Sequence, residues 1–567
     1  MNKKTFSKSL LSVALLVGLD SANAETYSIT EVGQFDGYRQ HFAVGLNNNG
    51  EIVGVVRDSF NFPFYSEEYL SDEDVPLKDV CELSDTEIAT GNFDSDSALC
   101  VKSELSRVAR GTEVQPSYGV SANYQKIGDS RAFTVKADAA ELITMTDVID
   151  PELGDYTRST IEQFSAINDA GIAVGSTTAP FLPVEFTPTV EGKAQAPVTQ
   201  FVREYNSRAT IYRDGTLTLI EPDEATYGGV SYGTDISNTG FVAGYQSIAI
   251  KPDSQSTVDT NCTGESLPVE ACIWANSRSG NFYETNATIW QLDSEGAVVG
   301  KVVYPISFEP EEGNDNVYQT VASAVNDNGV AVGFGHAQLN SSSSFINLYP
   351  MVFENGETKP LISDHADFIG GFALDINNNG LVIGRILTSF QGDALEQFFV
   401  FDRSTNILET PTSFFNTAKS SANSVNDQGI VVGEAEYETS QSSVRRKHGF
   451  IYDSITKEFK DINDHVACGS AYEIVEMKSI NNNGQIVATA LKKVDKRDAF
   501  GEVILDENGT AEQEEVAVAI LLNKTSEEIP GECPEEQEPD YKRKGLSQGI
   551  FGTLLLSGLV AIRRRFI

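Results

Sequence analysis

Carboxylates are the side chains this sequence has most of for doing chemistry: 82 Asp and Glu stand against 41 Lys and Arg in 567 residues, with 5 His. The acidic runs Glu67-Glu68, Ser71-Asp72-Glu73-Asp74 and Asp94-Ser95-Asp96 crowd residues 63–116. Paired carboxylates can hydrolyse glycosidic bonds, and clustered ones can hold calcium, which takes about six to eight oxygens. The spaced Asp-x-Asp-x-Asp-Gly ligand pattern is missing, so the runs read as solvated acidic loops, with calcium the one cofactor left open. His41, His336, His365, His448 and His465 are scattered along the chain, and only His365, in Asp364-His365-Ala366-Asp367, has flanking carboxylates. There is no Gly-x-Ser-x-Gly elbow, phosphate loop or dinucleotide fingerprint, and no Cys/His cluster has metal-ligand spacing. No residue is therefore assigned a catalytic, cofactor or metal role.

The elements that would position such groups are written in a repeated phrase: apolar residue, Asn, two polar residues, Gly, then a short apolar run ending in a small residue. It is clearest at Ile376-Asn377-Asn378-Asn379-Gly380-Leu381-Val382 and occurs seven times, with turn positions Asn47 and Gly50, Asn168 and Gly171, Ser237 and Gly240, Asn326 and Gly329, Asn377 and Gly380, Asn426 and Gly429, and Asn481 and Gly484. An Asn side chain that accepts a backbone N–H two residues on opens a tight turn, and Gly closes it at positive φ, so each phrase predicts a β-hairpin. β-Branched runs such as Ile430-Val431-Val432 fit strands buried on both faces.

A second hairpin with an aromatic-rich strand follows each phrase, as at Met351-Val352-Phe353-Glu354-Asn355-Gly356 and Gly449-Phe450-Ile451-Tyr452-Asp453. Four strands in roughly 40 to 50 residues is the period of a propeller blade. The fold expected is a single all-β propeller over residues 25–524, with seven four-stranded blades, or eight if the degenerate copy Gly119 to Gly128 is a true repeat. The strand Tyr27 to Val32 lacks a partner of its own and is expected to pair with the last repeat, Val503 to Leu522, closing the ring and removing sheet edges.

The chain ends give an address. Residues 1–24 carry Lys3, Lys4 and Lys8, an apolar run from Leu10 to Leu19, and Ala22-Asn23-Ala24. That is the pattern of a secretory signal peptide cleaved between Ala24 and Glu25. Residues 525–544 read as an exposed linker, acidic and then basic. Residues 545–567 hold an apolar run from Gly545 to Ile562 followed by Arg563-Arg564-Arg565, enough for a short transmembrane or sorting helix whose arginines stay cytoplasmic. An exported chain with six cysteines suggests disulfides. Neighbour pairing would join Cys81 to Cys100, Cys262 to Cys272, and Cys468 to Cys533, although sequence alone leaves the connectivity open. A net charge of −41 repels nucleic acid and anionic lipid.

The repeat, with its Ile-Asn-x-x-Gly-x-Val-Val-Gly flavour and following aromatic strand, resembles the HAF family of extracellular repeats, and nearly the whole chain resembles the exported bacterial family called domain of unknown function 3466. The tail is similar to GlyGly-type sorting signals but lacks adjacent glycines. The resemblance implies export machinery and a rhomboid-like sorting protease as partners, membrane contact through the C-terminal helix, and an address at the cell envelope or surface, anchored or released after trimming. It implies no activity. The function expected is a non-enzymatic binding or scaffolding platform for a protein or glycan; the competing expectation is a carboxylate-dependent hydrolase or lyase acting on extracellular polysaccharide at the propeller channel.

Overall fold

The computed structural model describes residues 26–65, 77–106, 122–137, 139–278, 280–311, 316–339, 345–363, 368–390, 393–439 and 445–525. The expected signal peptide, most of the expected linker and the C-terminal tail lie outside them. So do His365, Cys533 and the acidic run at residues 71–74.

Seven antiparallel four-stranded sheets form a β-propeller. The first strand of each blade is Tyr38–Leu46, Glu162–Ile167, Ser231–Ile236, Thr320–Val325, Gly370–Ile376, Ser420–Val425 or Tyr472–Ile480. Each touches the first strand of the next blade, and Tyr472–Ile480 touches Tyr38–Leu46, so the ring closes. Closure is sealed by the N-terminal strand Thr26–Glu31, which pairs with Gln513–Thr525 as the outer strand of blade 7, in a register running from Thr26 opposite Thr525 to Glu31 opposite Ile520. The last repeat differs from its expected extent: its strands are Ile486–Asp495 and Gln513–Thr525. Residues 496–512 between them make only two isolated bridges. The Gly119 to Gly128 copy is not a blade. Its described part, from Ala122, forms no strand and lies in the insertion between Ile52–Ser59 and Ser130–Lys136 of blade 1.

The repeated phrase forms the first hairpin of every blade. The Asn377 Oδ1 accepts the N–H of Asn379 (3.0 Å) and of Leu381 (2.9 Å), and Gly380 closes the turn at φ +83°. All seven first strands bulge at the same place, three residues before the turn Asn or Ser, for example between Ala373 and Asp375. The bulge presses a carbonyl toward the second strand. At Gly384 an added Cβ would lie 2.1 Å from the Phe372 carbonyl oxygen, which is why the phrase ends in a small residue.

Second strands are buried on both faces, as in Ala173–Thr177, and apolar side chains fill the space between blades. Val332, Tyr349, Met351 and Phe353 of blade 4 pack with Ala373, Val382, Phe399 and Phe401 of blade 5. Each such fully buried large side chain contributes about 1.5–3 kcal/mol.

Candidate functional site

The channel mouth is built by the seven turns. The residue after each turn Asn or Ser is itself Asn or Asp: Asn48, Asp169, Asn238, Asp327, Asn378, Asp427 and Asn482. Each backbone N–H in this set donates to the side-chain Oδ1 of the next blade's residue at 2.8 or 2.9 Å, and Asn482 donates back to Asn48. Alternation lets amide hydrogens meet carboxylates: Asn378 Nδ2 donates to Asp327 (3.0 Å) and to Asp427 (3.2 Å). A second ring lies beside it, in which the turn Asn Nδ2 donates to the carbonyl of the next turn's first residue, as from Asn377 to Asn426 (3.0 Å). Ser237 has no amide to give, and Thr239 Oγ1 donates to the Asp327 carbonyl (2.8 Å) at that step instead.

Deeper in the channel wall, the position two before the turn is small in five blades (Gly45, Ala166, Ala324, Ser424, Ser479) and Asp in the other two. Asp235 Oδ2 accepts the Val325 N–H of the next blade at 2.8 Å, and Asp375 Oδ1 and Oδ2 accept Ile376 N–H (2.7 Å) and Val425 N–H (2.8 Å). Both carboxyls are half-buried on the channel wall. Desolvation raises Asp235 to about 6 and, with the Asp235 charge adding to it, Asp375 to about 7. The sequence reading missed both. Their signal is a charged residue where the other repeats carry a small one. The channel mouth itself is a cavity of about 270 Å³.

At the opposite ends of the blades, the links between second and third strands carry insertions in blades 1, 2 and 3. They are not bare loops. Part of the acidic stretch folds into the helices Leu77–Val80, Asp85–Thr90 and Ser95–Ser106, and blade 3 adds Pro252–Asn261 and Val269–Ser277. The acidic residues here cap helices: Ser84 and Glu87 make a reciprocal capping box, and Asp94 Oδ1 accepts the Ser97 N–H at 2.8 Å. These side chains satisfy N–H groups that have no partner inside a helix. Disulfides join Cys81 to Cys100 and Cys262 to Cys272, each within one insertion. Cys468 is disulfide-bonded.

Aromatic contacts knit the three insertions into one cap. Tyr65 meets Phe201 edge to face at 5.2 Å, and Phe181 meets Trp274 at 5.1 Å. Arg203 stacks over the Phe181 ring at 3.8 Å, and Lys126 Nζ lies 5.5 Å from the Trp274 ring, with burial lowering its ammonium to about 7.

Three of the described histidines serve local structure. Nε2 of His41 accepts the Phe35 N–H (3.1 Å), His448 Nδ1 pairs with Asp461 Oδ2 (2.6 Å) while its ring stacks on Tyr437, and His465 ends the turn Ile462–His465. Among the described residues no group of three or more His, Cys, Asp or Glu could hold a metal ion.

His336 is placed differently, on a cavity of about 520 Å³ at the junction of blades 3 and 4. Tyr318 and Phe308 line it with ring centroids 5.0 Å apart, and Tyr318 meets the His336 ring edge to face at 5.3 Å. His336 Nδ1 accepts the Gln319 N–H (3.0 Å). Burial lowers the imidazole's pKa, so the ring is neutral with its proton on Nε2.

A family model described as "Protein of unknown function (DUF3466)" matches residues 5–565. No curated protein matches the chain. Among solved structures, it is similar to the β-propeller domain of the Trilobed protease from Pyrococcus furiosus, at 9% identity and a TM-score of 0.34 over 81% of this chain and 91% of that one. Pyrococcus horikoshii acylaminoacyl peptidase matches at 8% identity and 0.34, over 85% of this chain and 53% of that one. The Hadza microbial sialidase Hz136 matches at 7% identity and 0.31, over 70% and 73%.

Proposed function

The chain belongs to the family of unknown function DUF3466, and we propose that it is a non-enzymatic exported protein whose propeller acts as a binding or scaffolding platform, presenting its capped face to a glycan or protein. One observation carries this reading. The polar groups at the channel mouth are spent on bonds between blades, while the insertions and a cavity of about 520 Å³ gather at the other end. Loops held on a rigid scaffold are the usual carriers of binding.

The competing reading, a carboxylate-dependent hydrolase or lyase acting on extracellular polysaccharide, has Asp235 and Asp375 as its candidates. Both oxygens of Asp375 accept backbone N–H groups that span a blade junction, and Asp235 does the same with Ile236 and Val325. Carboxylates tied in this way act as clamps, which favours binding over catalysis.

Two intact disulfides support an oxidising compartment. Export through the inner membrane with cleavage after Ala24, and anchorage or trimming of the tail by a rhomboid-like protease, complete the reading. Incubating the purified protein with acidic and neutral polysaccharides and measuring new reducing ends and unsaturated uronates tests it. No product is expected, and turnover that disappears in D375N would reject the platform. Intact-mass measurement of the native protein checks both chain ends, and a mass that retains residues 1–24 rejects the export step.

A further inference from the structure

We propose that the cavity at the junction of blades 3 and 4 binds a neutral saccharide unit of about two rings. This inference rests on the platform reading and narrows its ligand.

Size is the first argument. About 520 Å³ lies inside the roughly 300–1,000 Å³ range of pockets that enclose small ligands.

The wall chemistry is the second. Tyr318 and Phe308, set edge to face at 5.0 Å, offer aromatic surface to the apolar C–H faces of a sugar ring. Asn281, Asn316 and Gln338 line the same space and keep its wall polar. His336 adds a directed donor. With Nδ1 occupied by the Gln319 N–H, Nε2–H is its remaining polar atom, and the second nitrogen's bond fixes which tautomer is present.

Charge is the third. Glu309 and Glu311 stand at the wall with Lys251 as the one cation among the lining residues, in a chain of net charge −41. Carboxylates accept hydrogen bonds from sugar hydroxyls but repel phosphate, sulfate and uronate groups at short range. The chemistry therefore selects a neutral sugar over an anionic one. An apolar peptide is disfavoured too, because polar groups make up most of the wall.

Titration calorimetry of the full exported protein with cellotriose, maltotriose and chitotriose, and with a trigalacturonate as the anionic counterpart, tests the inference. At least one neutral trisaccharide should bind, and Y318A and H336A should each weaken it at least tenfold. E309Q, on an exposed side chain, should weaken it severalfold while leaving the melting temperature unchanged, so a loss in this variant cannot be ascribed to misfolding. A neutral sugar that binds equally well to Y318A and E309Q would overturn this site while leaving the platform standing. Tighter binding of trigalacturonate, or no binding of any neutral sugar, would also overturn it. Cleavage of the bound sugar would instead overturn the platform reading.

Discussion

Asn481 Nδ2 donates to the Asn47 carbonyl at 3.0 Å across 434 positions of sequence. The same bond joins neighbouring turns elsewhere in the ring, as from Asn377 to Asn426, so here an ordinary inter-blade contact completes the circle between the last repeat and the first. Asn481 Oδ1 also holds its own turn by accepting from Asn483 (3.0 Å) and Gln485 (2.9 Å). N481A removes the inter-blade bond to the Asn47 carbonyl, which keeps only the Gly50 N–H (3.2 Å), and leaves two turn N–H groups without their acceptor, a loss of about 1–3 kcal/mol. Urea unfolding should show a lower midpoint with an unchanged slope. A midpoint equal to wild type would mean that the ring of amides adds nothing to closure.

The two glycines of one repeat should fail for different reasons. Gly380 sits at φ +83°, where a β-branched residue is strained by about 1–3 kcal/mol; G380V should therefore be clearly worse than G380N, because Asn tolerates the left-handed region. Gly384 is not at positive φ; it is limited by space, since its Cβ would meet the Phe372 carbonyl 2.1 Å away. Even G384A should cost about 1–3 kcal/mol. Thermal melts of the three variants separate the two mechanisms, and G380V as stable as G380N, or G384A as stable as wild type, would contradict them.

How much of this was legible follows from which forces are local. Turn chemistry and β-branched runs are written residue by residue, so the hairpins, the blade period and closure by the N-terminal strand could be read directly. The neighbour pairing of Cys81 with Cys100 and of Cys262 with Cys272 is likewise short in sequence. The helices of the blade 1 insertion were hidden because residues 63–116 have the composition of an acidic loop. Their order comes from caps such as Ser84 with Glu87 and from burial of Leu77, Val101 and Leu105 against Tyr124. The ring at the channel mouth was visible only as an alternation of Asn and Asp from Asn48 to Asn482, a pattern spread over seven distant positions. The cavity at His336 has no sequence signature, because its walls come from the links around two blades.

The disulfides should stabilise the cap rather than the ring. Cys81 and Cys100 close a loop of sequence separation 19 within the helical insertion, and cross-links of that span are worth about 3 kcal/mol on the chain-entropy model. In C81S/C100S, hydrogen exchange in residues 77–106 should rise by at least tenfold while the second strands of blades 4 to 6 keep wild-type protection. Loss of protection around the whole ring would show that cap and propeller fold as one cooperative unit.

Asp375 makes the pH dependence testable. Its carboxyl is raised to about 7 by desolvation and the nearby Asp235 charge, so the native state holds a proton that the unfolded chain has already released above its ordinary value near 4. More protons bound in the native state means that stability falls as pH rises. The contribution is fully present below about pH 4, is lost progressively toward pH 7, and is constant above it. D375N carries no titrating group there. Wild type should therefore lose on the order of 1–3 kcal/mol relative to D375N between pH 4 and pH 7, measured by urea unfolding at each pH. Asp235, raised to about 6, faces the same desolvation, and its charge acts on Asp375. D235N should consequently lower the pH at which the Asp375 loss occurs, shifting the window toward the acid side. A wild-type curve parallel to that of D375N across this range would show that Asp375 is already ionised in the fold, and would return it to the list of carboxylates available for chemistry.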